Sequence, residues 1–193
     1  MNSITDNEHS NSVFENSVFK DKSLFGMSFE DCTFLKCDLS EADLSKTCFI
    51  GCRFEGSDLS NTKWLNSRVR DCFFIGCKLI GIQWVELDDL VNLSFEECNL
   101  SYSNFISLKM KKTKFLRSKV KDVDFSEAEL SESDFRDTDL LNARFSNTIL
   151  LKCDFRGAVN YLLNPIHNKV RGVRFSMPEA QGLLVGLGII LDQ

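Results

Sequence analysis

From Phe14 onward, every fifth residue of this chain is large and apolar. The series runs Phe14, Phe19, Leu24, Phe29, Phe34, Leu39, Leu44, Phe49, Phe54, Leu59, Trp64, Val69, Phe74, Leu79 and Trp84. It then slips by one residue and resumes as Leu90, Phe95, Leu100, Phe105, Met110, Phe115, Val120, Phe125, Leu130, Phe135, Leu140, Phe145, Leu150 and Phe155. With 43% of residues hydrophobic, chance fills 29 such sites on the order of once in 10¹¹. A period of five matches neither the 3.6 of an α-helix nor the 2 of a lone strand.

Two residues before a large site, here called i, there is usually a small one. Ser12, Ser17, Cys32, Cys37, Ala42, Thr47, Cys52, Ser57, Thr62 and Ser67 show this early, and Cys98, Ser103, Thr113, Ser118, Ala128, Ser133, Thr138, Ala143, Thr148 and Cys153 late. Sites i and i−2 thus point inward, while i−1, i+1 and i+2 carry most of the charge. The clearest copies are Glu41-Ala-Asp-Leu-Ser45, Gly56-Ser-Asp-Leu-Ser60 and Glu132-Ser-Asp-Phe-Arg136. This pattern resembles the pentapeptide-repeat family over residues 12 to about 158. The resemblance implies an all-β chain: a right-handed, four-sided β-helix with one pentad per side and twenty residues per coil, about seven coils here, ending in a short C-terminal helix for dimerisation.

The sequence tests the four sides, because residues twenty apart should then stack. A first side reads Phe14, Phe34, Phe54, Phe74 and, after the slip, Phe95, Phe115, Phe135 and Phe155, all Phe. A second begins Phe19, Leu39, Leu59; a third Leu24, Leu44, Trp64, Trp84; a fourth Phe29, Phe49, Val69. At roughly 4.8 Å per coil, seven coils make a column about 34 Å long. The slip falls in Val85-Glu-Leu-Asp-Asp89 and reads as a corner bulge, either a bend that relieves packing or a contact point. The extra residue is not identifiable there.

The division expected is a polar N-terminal leader over 1–11, the β-helix over 12–158, and a cap and dimerisation segment over 159–193. The start lacks the basic-then-apolar order of a signal peptide. The longest apolar stretch, 182–191, is about half the length a membrane-spanning helix needs. A soluble, cytoplasmic protein with no membrane contact is the expectation.

Of eight cysteines, seven occupy i−2 and only Cys48 does not. Their spacing lacks the paired Cys-x₂-Cys of zinc sites, so they read as buried small hydrophobes, with no metal and no cofactor expected. His9 lies in the leader and His167 in a turn after Asn164-Pro-Ile. No phosphate loop or nucleophile elbow occurs. Asp38, Asp43, Asp58, Asp134 and Asp139 fall at i−1, where a carboxylate accepts turn N–H bonds. No catalytic residue is assigned, and the chain is not expected to be an enzyme.

Past the repeat, Lys169-Val-Arg-Gly-Val-Arg-Phe175 reads as a short strand over the last coil. Ser176-Met-Pro-Glu179 reads as a capping box. A helix should follow, with Ala180, Leu183, Leu184 and Leu187 on one stripe, Gly188 as its stop, and Ile189 and Ile190 in an apolar tail. A stripe plus a tail exceeds what one end-cap requires, so these six residues are the expected homodimer interface. This ending, together with Asn104-Phe-Ile-Ser-Leu108, is similar to the topoisomerase-protecting branch of the family, the quinolone-resistance (Qnr) and microcin-immunity proteins. That resemblance implies a DNA-mimicking rod that binds DNA gyrase or topoisomerase IV, without contacting nucleic acid itself, and confers antibiotic resistance or immunity. The nearly unbroken repeat, without projecting loops, brings the microcin-immunity pattern closer.

Charge agrees in part. The net charge of -5 argues against a general nucleic-acid binder. Asp122, Asp124, Glu127, Glu129, Glu132, Asp134, Asp137 and Asp139, opposed by Arg136 alone, form an acidic band suited to partner binding. Just before it lies a basic band, Lys109, Lys111, Lys112, Lys114, Arg117, Lys119 and Lys121, without an acid among them. The rival reading is a β-helical scaffold or interaction module with no topoisomerase role.

Overall fold

A computed structural model describes residues 7–190. Backbone hydrogen bonds show why five residues make one side. In the pentad Cys37–Glu41 every N–H has a partner. Cys37 donates to Ser57 Oγ at 3.0 Å and Asp38 to the Ser17 carbonyl of the preceding coil at 2.9 Å. Leu39 and Glu41 donate to the Asp58 and Ser60 carbonyls of the following coil, at 2.7 and 2.9 Å. Ser40 donates to Asp38 Oδ1 at 3.0 Å. Burying this much irregular backbone requires such complete pairing. The small i−2 residue therefore does more than leave room, since Ser57 Oγ also donates to the Phe34 carbonyl at 3.1 Å. The i+2 residue turns the corner in the left-handed region, Glu41 at φ 61° and Lys46 at φ 57°.

Coils stack in parallel. Strands β1 (Glu8–Ser10), β3 (Ser28–Glu30), β5 (Cys48–Ile50), β7 (Arg68–Arg70) and β9 (Asp89–Val91) form one sheet on the fourth side. Strands β2 (Val13–Glu15), β4 (Thr33–Leu35), β6 (Arg53–Glu55), β8 (Phe73–Ile75), β10 (Ser94–Glu96) and β11 (Lys114–Leu116) form a second sheet on the first side. Strands β12 (Asp154–Phe155) and β13 (Arg174–Phe175) continue that side. The register is the one the sequence requires, with Phe34 beside Phe54 and, across the slip, Phe74 beside Phe95. The ladder of Phe14, Phe34, Phe54, Phe74, Phe95, Phe115, Phe135 and Phe155 is buried throughout. Its rings stack face to face, Phe34 on Phe54 at 4.7 Å and Phe115 on Phe135 at 4.8 Å, both 8° from parallel.

The solenoid has about 8 turns, not seven, because it extends past the regular repeat at both ends. At the start, β1 lies inside the segment expected to be a polar leader. His9 takes the core position five residues before Phe14, and its ring stacks on Phe29 at 5.2 Å. An imidazole is flat enough to continue an aromatic stack, which a search for apolar residues passes over. At the end, Lys169 bridges to Ile149 and β13 pairs with β12, so the coil does not stop at 158. The strand expected over 169–175 is present as its last two residues.

The slip resolves to Asp88. A 3₁₀ turn at Trp84–Glu86 places Leu87 in the inner position that Ser67 holds one coil earlier. Asp88 then donates its N–H to the Ser67 carbonyl, while Asp89 pairs with Arg68. Asp88 is the bulged residue, two against one.

The terminal helix α1 (Gln181–Gly186) is shorter and later than the capping box suggests. Bonds from Gln181 to Pro178, Gly182 to Glu179 and Leu183 to Ala180 make tight turns instead. The Ser176 hydroxyl does reach Glu179 Oε2 at 3.3 Å, but it accepts its backbone bond from Gly157 of the last coil. The cap thus ties the helix to the column and does not start it.

Candidate partner-binding site

The acidic band does not lie on one face. Its residues occupy i−1 and i+2 sites of the five pentads centred on Val120, Phe125, Leu130, Phe135 and Leu140. The first and last of these share a side, so two acids fall on each side and the band closes into a ring around one coil. The basic band winds the same way one coil earlier, and the bridges Lys109–Glu129, Lys114–Asp134 and Lys119–Asp139 place the two in register. Lys111 lies 3.8 Å from Glu129, Lys112 3.9 Å from Glu132 and Lys121 3.0 Å from Asp139. Arg136 holds Asp134 at 2.7 Å, and Arg144 is 3.8 Å from Asp124. Asp122 accepts from Asn142 at 3.0 Å and Glu127 from Ser107 at 3.0 Å. Bands consecutive in sequence thus become stacked, partly neutralising rungs.

Local hydrogen bonding favours the charged form of two of these carboxylates, Glu129 and Asp139. Partial burial works against ionisation of Asp139, but hydrogen bonds from Asn160 and Lys121 outweigh it and hold its carboxyl below the ordinary range. Burial likewise opposes ionisation at Glu129, and is outweighed by bonds from Ser131 and by the charges of Lys111 and Lys169.

At the C-terminal end, α1 meets the column through its glycines. A Cβ on Gly182 would stand 2.5 Å from the Tyr161 carbonyl oxygen, and one on Gly186 2.6 Å from that of Leu163. Only a glycine face allows so close an approach. Leu183 packs half-buried on the core and Ala180 is half-buried. Leu184, Leu187, Ile189 and Ile190 of the expected interface remain exposed, joined by Val185, and Ile190 is 88% exposed. Sequence reasoning missed the glycine face because Gly182 and Gly186 register in a hydrophobicity pattern only as gaps.

A second exposed apolar line runs up the third side at i+1, through Phe25, Leu65, Val85 and Ile106. Beside its upper end lies a polar groove of about 550 Å³ lined by Gln83, Tyr102, Asn104, Asp122, Asp124 and Arg144, among others. Among the described residues, no group of three or more His, Cys, Asp or Glu is placed to hold a metal ion. No helix among them is long and apolar enough to cross a membrane.

Among solved structures, two trypsin-treated forms of QnrB1, a plasmid-mediated fluoroquinolone resistance protein, are similar in fold. The first is 21% identical with a TM-score of 0.58, covering 96% of this chain and 99% of that one. The second is 22% identical with a TM-score of 0.58, covering 96% and 97%. HetL, a pentapeptide repeat protein from the cyanobacterium Nostoc, aligns at 17% identity over 86% of this chain and 81% of its own, with a TM-score of 0.38. No curated protein matches the sequence. The pentapeptide repeat region pattern matches residues 27–105 and 88–155. With that match over most of the chain, and the coils it describes present in the structure, the protein belongs to the pentapeptide-repeat family.

Proposed function

We propose that the chain is a non-catalytic, dimeric rod that binds DNA gyrase or topoisomerase IV and shields it from quinolones or from a peptide poison. The observation that carries this reading is the terminal helix. It seats on its own column through Gly182 and Gly186, leaving Leu184, Val185, Leu187, Ile189 and Ile190 to a second copy. Two columns of about 8 turns, joined end to end, would span about 75 Å at 4.8 Å per coil, comparable to about 22 base pairs of duplex. The near full-length likeness to QnrB1 in fold supports the same shape.

Competition with DNA for the enzyme's binding saddle is the proposed mechanism. The ring of Asp122, Asp124, Glu127, Glu129, Glu132, Asp134, Asp137 and Asp139 places carboxylates at the corners. The first, second and third sides are free of the lysines that answer Glu129 and Glu132 and so turn to the enzyme, and the net charge of -5 supplies attraction at distance. The test is gyrase supercoiling titrated with this protein, with and without a fluoroquinolone. Restored supercoiling in the drugged reaction is expected; no effect in either arm, with folded protein, refutes the reading.

The exposed line Phe25, Leu65, Val85 and Ile106 favours a second reading, an interaction module without a topoisomerase role. A monomer lacking gyrase affinity would support it.

A further inference from the structure

One side of the column gathers a positive face that no stretch of the sequence displays. On the fourth side the rungs centred on Met110, Leu130, Leu150 and Val170 stack, as the bridges Lys109–Glu129–Ile149–Lys169 show. Their outward positions bring together Lys109, Lys111, Lys112, Lys152, Lys169 and Arg171, all exposed. The only acids on these rungs are Glu129 and Glu132, each facing a lysine of the rung before it, Lys111 and Lys112. Lys109, Lys152, Lys169 and Arg171 form no ion pair among the described residues. On the other sides Arg117 pairs with Glu96 and Glu97 and Lys121 with Asp139, while Lys114 and Lys119, without an ion pair among the described residues, stack in register with Asp134 and Asp139.

The order of charge along this face is basic, acidic, basic. The rung of Lys109, Lys111 and Lys112 stands two to three coils from the rungs of Lys152, Lys169 and Arg171, a separation of about 10–14 Å at 4.8 Å per coil. That is close to the width of the major groove of B-form DNA, about 12 Å. Two cationic rungs at that spacing meet the phosphates of both strands, while Glu129 and Glu132 face the open groove between them. A uniformly acidic protein surface would instead meet the acid rung unfavourably.

We propose that this face binds the phosphate backbone of duplex DNA across a groove, independently of base sequence. The overall charge of -5 is no obstacle, because phosphate contacts are local and the acids of the other sides point away from them.

The test is anisotropy of a labelled 20-base-pair duplex titrated with the full chain at about 50 mM salt. Four unpaired cations predict a log–log salt slope of about −3 to −4, at about 0.9 per phosphate. The variant K109Q/K152Q/K169Q/R171Q should weaken binding at least about 10-fold and flatten the slope. These side chains lie outside the core, and a native circular-dichroism spectrum confirms that the coil is intact. K20Q/K36Q/K46Q/K63Q, with the same charge change on other sides, should bind like the parent. Absent duplex binding, or equal losses in both variants, overturns the proposal. Tighter binding of poly-glutamate than of duplex also overturns it and identifies an acidic polypeptide as the occupant. No topoisomerase is present in this assay, so its failure is separate from failure of the gyrase reading.

Discussion

The carbonyl oxygen of Tyr161 occupies the space that a side chain on Gly182 would need, 2.5 Å from where its Cβ would stand. The helix therefore docks only while that position has no side chain. Gly182→Leu is expected to release α1 from the column while leaving the coils folded. A helix of six residues is too short to persist alone. Limited proteolysis should then cut within 177–190, with an unchanged strand signal in circular dichroism. Resistance equal to the parent's would show that the helix has another anchor.

The exposed half of the same helix gives a separate prediction. Leu184→Asp with Ile190→Asp should convert a dimer to a monomer by sedimentation while the coils stay folded by circular dichroism, since both side chains are exposed on the single column. Leu183 is the contrasting control. Half-buried on the column, its substitution by Asp should destabilise the terminal cap in a monomer as well as in a dimer. An unchanged dimer in the double variant removes the apolar tail from the interface.

Phe115 lies between Phe95 and Phe135 in the ladder, with ring centroids at 5.3 and 4.8 Å, and is fully buried. Phe115→Ala should cost about 3–5 kcal/mol by leaving a cavity that rigid, hydrogen-bonded coils cannot close. The urea midpoint measures it. A cost under about 1 kcal/mol would mean that the coils collapse around the gap.

The fold was legible because its rule is local and repeated. Each regular pentad carries its own core residue, and most add a small inner residue or a turn acceptor, so a single period gives register, core and corners together. What escaped were the places where one of those tasks passes to an unexpected residue. His9 serves as a core ring, Asn168 replaces a small inner residue by accepting from Thr148 N–H and donating to the Phe145 carbonyl, and Gly182 acts through the side chain it lacks. The charged bands were legible as bands but not as rings, and the face of Lys109, Lys152, Lys169 and Arg171 emerged only when positions twenty, forty and sixty apart were stacked.

Asp88 is the residue that breaks the twenty-residue coil. Deleting it leaves Leu87 two before Leu90 and Asp89 one before it, the spacing of every other pentad. The deletion should keep the fold with a melting temperature equal to or above the parent's. Deleting a residue within a regular pentad, such as Glu127, should lower the melting temperature markedly, because the shortened corner cannot reach the next side without pulling Phe125 or Leu130 from the core. A large loss on deleting Asp88 would show that the bulge relieves a strain the spacing alone does not reveal.

The thiols offer a test of burial. Seven of the eight cysteines are buried and Cys48 is half-buried. Burial pushes the Cys153 thiol up to about 12, and Cys72 is also raised well above its usual value, first by burial. A thiol-specific reagent at neutral pH should therefore modify Cys48 first and reach the other seven only on unfolding. Rapid modification of several thiols in the folded protein would contradict a closed core.

Asp139 links the stacked charges to pH. Its carboxyl is held below the ordinary range by Asn160 and Lys121 against the cost of partial burial. The unfolded chain then takes up a proton at higher pH than the folded one. The stabilisation is complete above the ordinary Asp value of about 3.9 and fades as pH falls through the lower folded value. Because the Lys121 pair is partly exposed, the effect should be modest, about 0.2–1 kcal/mol. Asp139→Asn should lower the urea midpoint at pH 7 and approach the parent's as pH falls below the lowered folded value, where the parent carboxyl is also neutral. Parallel curves over that range would assign the loss to altered hydrogen bonding at the corner. Convergence would show that the charge of Asp139 itself, facing Lys121 across one coil, contributes to holding adjacent turns together.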